Sequence, residues 1–161
     1  MLSIRTVLHL TDSSKRASFG MSLACSLASD HNARLVVANL AQPATMVAYE
    51  FPEATVPGGG RLRDELWDEL GGPSDRRPKT HTVRHITGAE DLTTQILHLI
   101  QKLGCDLVII GMEDASQEAR VRYLTDQLLR RAHCPVLIAK CPVKERVVAK
   151  RPDVLELAKS V

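Results

Sequence analysis

The stretch that decides the fold is CDLVIIGMEDASQEARVRYLTDQLLRRAHCPVLIAK, which runs from Cys105 to Lys140. Its first part, DLVIIG, is nearly all apolar, as a central strand covered on both faces should be. Apolar residues at helical spacing follow, and the segment PVLIAK predicts a last strand. The helical residues are Val121, Leu124, Leu128 and Ala132. A strand, a glycine turn and a helix in this order often place a phosphate on the turn. Here Met, Glu and Asp follow Gly111, where a phosphate needs glycines and free backbone N–H groups.

Strands and helices alternate along the rest of the chain as well. Ile4 to Leu10 predicts the first strand, a helical pattern begins at Ser14, and Ala33 to Leu40 predicts the second strand. The segment THTVRHI, residues 80–86, predicts the third strand. The next helix is predicted by an apolar stripe of Leu92, Ile96, Leu99, Ile100 and Leu103. Alternation of this kind predicts an α/β fold with a parallel sheet that has helices on both faces.

Two segments carry weaker patterns. The polar, proline-bearing stretch from Ala41 to Gly60 is predicted to be a loop, either functional or mobile. Leu62, Leu66 and Leu70 then predict a short helix that ends at Gly71. Gly58 to Gly60 precede this helix and do not follow a strand, so they are interpreted as a hinge and not as a phosphate loop.

Length and composition indicate a single domain. The chain has 161 residues, of which 44% are hydrophobic, enough for one core. We predict a domain over residues 1–141 and a tail over residues 142–161, in which Pro152 opens a short helix. Docking of this tail onto the body or a partner, and partial disorder, both remain open.

The composition also excludes several classes of function. Aromatic residues make up 3% of the chain and the net charge is +2, so we expect no nucleic-acid partner. The N-terminal apolar run is too short for a signal peptide or a membrane span, which predicts a cytoplasmic protein with no membrane partner. Four separated cysteines form no C-x-x-C pair, and His81 and His85 would lie about 13 Å apart on one strand, so no metal site is predicted.

Three stretches together resemble the universal stress protein family. They are VLHLTDSSKRA from Val7, GAEDLTTQILHLIQKLGCDLVIIG from Gly88 and LLRRAHCPVLIAK from Leu128, and the resemblance covers Ile4 to Lys140. It implies a Rossmann-like, adenine nucleotide alpha hydrolase-like three-layer sandwich with a five-stranded parallel sheet. It also implies a homodimer and, in one branch of the family, ATP bound at the carboxyl ends of the strands.

The chain matches the nucleotide signature of that branch in part. In the branch, an acidic residue after strand one meets the adenine, and Asp12 stands at this position. The signature then runs Gly, two residues, Gly, about nine residues, and Gly followed by Ser or Thr. Gly111 supplies the first glycine, but the second falls on Asp114, and the Gly-Ser pair aligns with Arg122 and Tyr123 across a turn about two residues shorter than that of the signature.

These departures disfavour ATP binding in the family's usual way. A side chain in place of a glycine blocks the approach of backbone N–H groups to phosphate oxygens. Glu113 and Asp114 would also repel a triphosphate, although Arg122 returns some positive charge and leaves a different anion possible. The candidate nucleotide or anion site consists of Asp12, Leu40, Gly111, Arg122 and Tyr123.

Two features near the start of the chain have an ordinary structural interpretation. Asp12, Ser13 and Ser14 form either a ligand-facing turn or a helix N-cap, and the two roles are compatible. His9 lies in the first predicted strand and is expected to be an interior histidine with satisfied hydrogen bonds.

Three hypotheses of function follow. The first is a non-catalytic, homodimeric stress-response module that needs no cofactor and acts through contacts with an unknown protein partner. Its interface is predicted in the last strand, at Pro135, Val136, Leu137, Ile138 and Ala139, since an apolar edge strand invites pairing. The second is a stress sensor that holds ATP or AMP with magnesium through Asp12 and the Gly111 turn. The third, a slow nucleotide hydrolase, is weakest because no residue set supplies a base and a nucleophile.

Overall fold

The computed structural model describes residues 3–14, 17–42, 45–52, 56–57, 65–86, 90–111 and 118–140. The elements in chain order are β1 (Thr6–Thr11), α1 (Ala17–Asp30), β2 (Arg34–Gln42), β3 (Thr45–Phe51), β4 (Val56–Pro57), α2 (Glu65–Glu69), β5 (Arg76–Arg77), β6 (Thr82–Ile86), α3 (Leu92–Leu103), β7 (Leu107–Ile110), α4 (Glu118–Arg131) and β8 (Val136–Ile138). The predicted tail at 142–161 and the predicted hinge at Gly58–Gly60 lie outside the described residues.

The predicted α/β sandwich is confirmed, with one correction to its sheet. The main sheet has the strand order β6-β3-β2-β1-β7-β8, and β4 pairs with β5 in a separate two-stranded sheet. Strands β2, β1, β7 and β8 are parallel, whereas β3 is antiparallel to both of its neighbours. The prediction of five parallel strands is therefore wrong: the described sheet has six strands and is mixed.

The additional strand is β3, which lies in the stretch predicted to be a loop. Its buried residues are Met46, Ala48 and Phe51, and its other side chains are half-buried. Gln42 pairs with Thr45, so β2 and β3 are consecutive antiparallel strands of the sheet. Prolines at the ends of this segment suggested a loop, but proline is tolerated where a strand begins or ends. Strand β6 consequently pairs with β3 and not with β2.

The core has one apolar layer on each face of the sheet, because adjacent side chains of a strand point to opposite faces. One layer joins Leu8 and Leu10 of β1 to Ile96 of α3 and Leu128 of α4. The other joins alternate residues of β1 and β2 to α1 and α2 and includes Trp67. Within the described ranges, every helix falls short of the length and apolarity that crossing a membrane requires.

Helix α3 lies where the sequence predicts it, and both of its ends carry recognisable caps. The side chain of Asp91 accepts a hydrogen bond from the backbone N–H of Thr94 at 3.1 Å. Gly104 ends the helix with φ 60°, a left-handed conformation that glycine adopts without steric cost. The helix then leads into β7, whose four residues are all buried.

Candidate functional site

The predicted site residues that follow β1 and β7 lie at one edge of the sheet. Thr11 stands opposite Asn39, and the N–H of Gly111 donates to the carbonyl oxygen of Leu10 at 3.0 Å. Asp12 and Gly111 thus leave the carboxyl ends of neighbouring parallel strands, the usual position of ligand sites in open α/β sheets. Leu40, within β2, is 3% exposed and belongs to the core.

Asp12 uses one carboxylate oxygen and leaves the other without a partner. Its Oδ1 accepts from the N–H of Ser14 at 2.9 Å, whereas its Oδ2 is buried and has no hydrogen-bond partner among the described residues. The capping predicted for this turn falls to Ser14, whose Oγ accepts from the N–H of Ala17, the first residue of α1, at 3.3 Å. A buried carboxylate oxygen without a partner is costly, which makes this atom a candidate ligand contact.

The turn after β1 is held in an uncommon conformation. Ser13 has φ 59°, in the left-handed region that non-glycine residues seldom occupy. Its N–H donates to Oγ1 of Thr11 at 3.1 Å, and its Oγ accepts from Nδ2 of Asn39 at 2.9 Å. Sequence reasoning missed Asn39. The available signal was a polar residue near the carboxyl end of a predicted buried strand.

His9 is fully buried in the centre of the sheet, as expected, but its hydrogen bonds differ from the expectation. It lies in β1 between Val37 of β2 and Ile109 of β7. Neither ring nitrogen has a hydrogen-bond partner among the described residues. Burial lowers the pKa of His9 to about 4, while the nearby backbone of Ile109 and the charge of Asp12 act in the opposite direction. The imidazole is therefore neutral near pH 7.

The position of the His9 ring explains why residues 20 and 111 are both glycines. A Cβ atom at Gly111 would lie 2.6 Å from Cε1 of His9 and 3.1 Å from Cα of Gly20. A Cβ atom at Gly20 would lie 2.8 Å from Cα of Gly111 and 2.9 Å from the same ring carbon. Because carbon atoms do not pack this closely, α1 approaches β7 through two glycines that also make room for the imidazole. Gly111 is thus required by packing, and its presence is not by itself a sign of a phosphate site.

The two candidate residues on α4 lie within the helix. Arg122 and Tyr123 follow its first residue, Glu118, by one turn, and both side chains are exposed. Inside an α-helix each backbone N–H donates to the carbonyl four residues earlier, which leaves it unavailable to a ligand. Glu113 and Asp114 lie outside the described residues.

The predicted dimer strand forms an edge of the sheet. Among the described strands β8 pairs with β7 alone. Val136 and Leu137 are half-buried and Ala139 is buried, whereas Pro135 is exposed and Ile138 is 46% exposed. On α4, Leu129 is 56% exposed. Exposed aliphatic side chains therefore occur on this edge strand and on the helix that precedes it.

The cysteines and histidines form no metal site in the part of the chain that the structure describes. No group of three potential ligands occurs there. Cys25 and Cys105 are buried, and burial raises the pKa of the Cys105 thiol to about 12. His81 packs against Phe51, with ring centroids 6.1 Å apart.

Comparison with known proteins identifies the family. The model of the universal stress protein family matches residues 3–140. The chain belongs to this family. Among solved structures, the fold is similar to a universal stress protein from Archaeoglobus fulgidus in complex with dAMP, with a TM-score of 0.48, 16% identity, and coverage of 87% of this chain and 100% of that chain. A member of the family from Burkholderia pseudomallei has a TM-score of 0.48 and 19% identity, with 86% of this chain and 97% of that chain covered. No curated protein matches the sequence.

Proposed function

We propose that this protein is a stress-response module of the universal stress protein family that acts as a homodimer through protein contacts. It does not bind ATP in the way of the family's ATP-binding branch. The observation that carries the proposal is the position of Arg122 and Tyr123, which align with the Gly-Ser pair of that branch but lie inside α4.

The position of Arg122 and Tyr123 and the bulk of their side chains both oppose phosphate binding at this pair. The backbone N–H groups at residues 122 and 123 are used within the helix, and the exposed side chains cover the backbone that a glycine would leave open. Arg122 remains able to contact an anion, but through its flexible side chain and not through a preformed turn. The close packing of His9 and Gly20 already explains why residue 111 is a glycine. Gly111 therefore gives no independent support for a nucleotide.

The β8 edge supports the dimer. Ile138 exposes 46% of its surface on a strand that, among the described strands, pairs on one side only, and such an edge invites pairing with a second chain. Arg131 faces a groove shared with α3. Leu129 lies two residues earlier, about 200° around the helix, and thus points away from α3. A two-fold partner pairing along β8 would cover Ile138 by its symmetry mate. No residue is assigned a catalytic role.

A titration with Mg-ATP tests the nucleotide part of the proposal. A ligand stabilises the native state only when its concentration exceeds its Kd, so millimolar Mg-ATP should leave the melting temperature unchanged. A saturable rise of several degrees that disappears in Asp12→Ala would contradict the proposal. Asp12→Ala is the informative variant, because a side chain at Gly111 would disturb the packing against His9 whether or not a nucleotide binds.

Light scattering on edge-strand variants tests the dimer. Ile138→Glu places a carboxylate at the proposed contact and should yield a folded monomer, since burying an unpaired charge costs several kcal/mol. Val83→Glu is the matched control, because Val83 is 47% exposed on β6, at the opposite edge of the sheet. A wild type that is monomeric at high micromolar concentration, or two variants that both remain dimeric, would rule out this interface.

A nucleotide sensor is the second candidate, and one observation favours it. The buried Oδ2 of Asp12 has no partner among the described residues and lies at the edge where the ATP-binding branch places adenine. An adenine amino group would supply the missing donor. The Mg-ATP titration separates the two candidates, because a response that depends on Asp12 is expected of the sensor alone.

A further inference from the structure

A pocket of about 340 Å³ lies between α3 and α4. Its walls are formed by Leu97, His98 and Gln101 of α3, Arg131 at the end of α4, and His133 in the connection to β8. The pocket is open to solvent, because His98, Gln101, Arg131 and His133 are exposed and only Leu97 is half-buried. His133 precedes β8, whereas Asp12 follows β1, so the pocket does not belong to the candidate site at the carboxyl edge of the sheet.

The lining is rich in hydrogen-bond donors. Arginine offers five N–H groups and no acceptor, the amide of glutamine offers two donors, and a protonated histidine offers two. Arg131 carries a positive charge, and none of the five lining residues is acidic. Leu97 provides the single apolar wall. Such a set matches a phosphate or a carboxylate, which arginine contacts through two parallel hydrogen bonds.

Arg131 is available for this role, unlike the arginine beside it. The Nε of Arg130 donates to both carboxylate oxygens of Asp126 at 3.0 Å. Arg131 has no hydrogen bond or ion pair within the described residues. Its charge reaches Asp91, whose pKa is lowered mainly by hydrogen bonds from Thr94 and to a smaller extent by Arg131. Arg130 is thus already paired with a carboxylate, whereas Arg131 makes no such pair within the described residues.

Two carboxylates lie near the pocket: Asp91 is within reach of the Arg131 charge, and Glu90 lies beside His98 and competes directly with a bound anion. Nδ1 of His98 lies 3.1 Å from Oε2 of Glu90. Both side chains are more than half exposed, so this pair is weakly held and screened by salt. An anion bound in the pocket would replace Glu90 as the hydrogen-bond partner of His98.

We propose that the pocket between α3 and α4 binds the phosphate or carboxylate group of a small organic anion through Arg131, with Gln101, His98 and His133 as additional donors. Leu97 contacts the organic part of the ligand. The proposal is independent of whether the protein binds ATP at the carboxyl edge of the sheet.

Calorimetric titration of the full chain with inorganic phosphate and, separately, with citrate tests the proposal. At least one anion should bind with a Kd below about 1 mM. Binding of phosphate alone indicates a phosphorylated ligand, binding of citrate alone indicates a carboxylate, and binding of both indicates an oxyanion site without that selectivity. Arg131→Gln should weaken binding about tenfold or more, since it removes hydrogen bonds to a charged group.

Two further variants make the test specific. Arg130→Gln removes the same charge one residue away and should leave the Kd within about twofold of wild type. Glu90→Gln removes the competing carboxylate and should tighten binding, by about two- to fivefold for an exposed pair. Absence of binding by both anions would overturn the proposal, as would equal losses in Arg130→Gln and Arg131→Gln or weaker binding in Glu90→Gln.

Discussion

Replacement of His9 by leucine should remove a specific loss of stability at mildly acidic pH. His9 is fully buried, and its pKa is lowered from 6.5 to about 4 because burial disfavours the charged imidazole. Above pH 6.5 His9 is neutral in both the folded and the unfolded chain, so it contributes no pH dependence to the free energy of unfolding. Between pH 6.5 and 4, His9 becomes protonated in the unfolded chain but stays neutral in the folded chain.

The size of this effect follows from the pKa difference. A difference of about 2.5 pH units at about 1.4 kcal/mol per unit gives about 3 kcal/mol of folding stability, lost progressively as pH falls from 6.5 to 4. That is a large fraction of the 5–15 kcal/mol typical of a domain. Leucine cannot be protonated, so the variant should lack this part of the pH dependence.

Urea unfolding at pH 7.5, 6, 5 and 4.2 measures the effect. Carboxylates also titrate in this range, so the informative quantity is the difference between wild type and His9→Leu in the free energy lost on acidification. This difference should approach 3 kcal/mol at the lowest pH. His85→Gln is the control, because His85 is exposed on β6, and it should follow wild type. Equal acid losses in wild type and His9→Leu would refute the account of a buried neutral histidine.

Two further predictions concern packing and strand ends. Gly111→Ala should destabilise the protein by about 1–3 kcal/mol through overpacking, and the loss should shrink in a His9→Ala background, which a double-mutant cycle of urea midpoints would reveal. Equal losses in both backgrounds would exclude the contact with His9. Asp106→Ala should cost about 1–3 kcal/mol, because Oδ2 of Asp106 accepts from the N–H groups of Arg5 and Thr6 at 2.8 and 3.0 Å. Asp106→Asn, which keeps an acceptor, should lose less, and a thermal scan that ranked the two variants the other way would contradict this role.

The elements with strong periodicity could be predicted from the sequence. The apolar stripe of α3 and the apolar run of β7 gave their positions, since each pattern reports directly which side chains are buried. Strand β3 was missed because its flanking prolines are turn signals, and the alternation between them is short. No pattern within the sequences of β2 or β6 indicates that β3 lies between these two strands in the sheet.

The candidate site was predicted less completely because its contacts join distant segments. Asp12 and Gly111 could be placed together from the resemblance to the family, whose ATP-binding branch has both positions after strands at the carboxyl edge of the sheet. The contact of His9 with Gly20 and Gly111 depends on the closeness of α1 to the sheet, which no local pattern encodes. The pocket between α3 and α4 brings residues near 98 together with residues near 131 and requires the packing of the two helices.

Native mass spectrometry of the purified protein tests the central claim most directly, because one spectrum reports both the oligomeric state and any retained nucleotide. The account predicts a species at twice the chain mass of 17.7 kDa with no added mass of ATP or AMP. A species at the mass of one chain, or a dimer that carries the mass of one nucleotide per subunit, would contradict it.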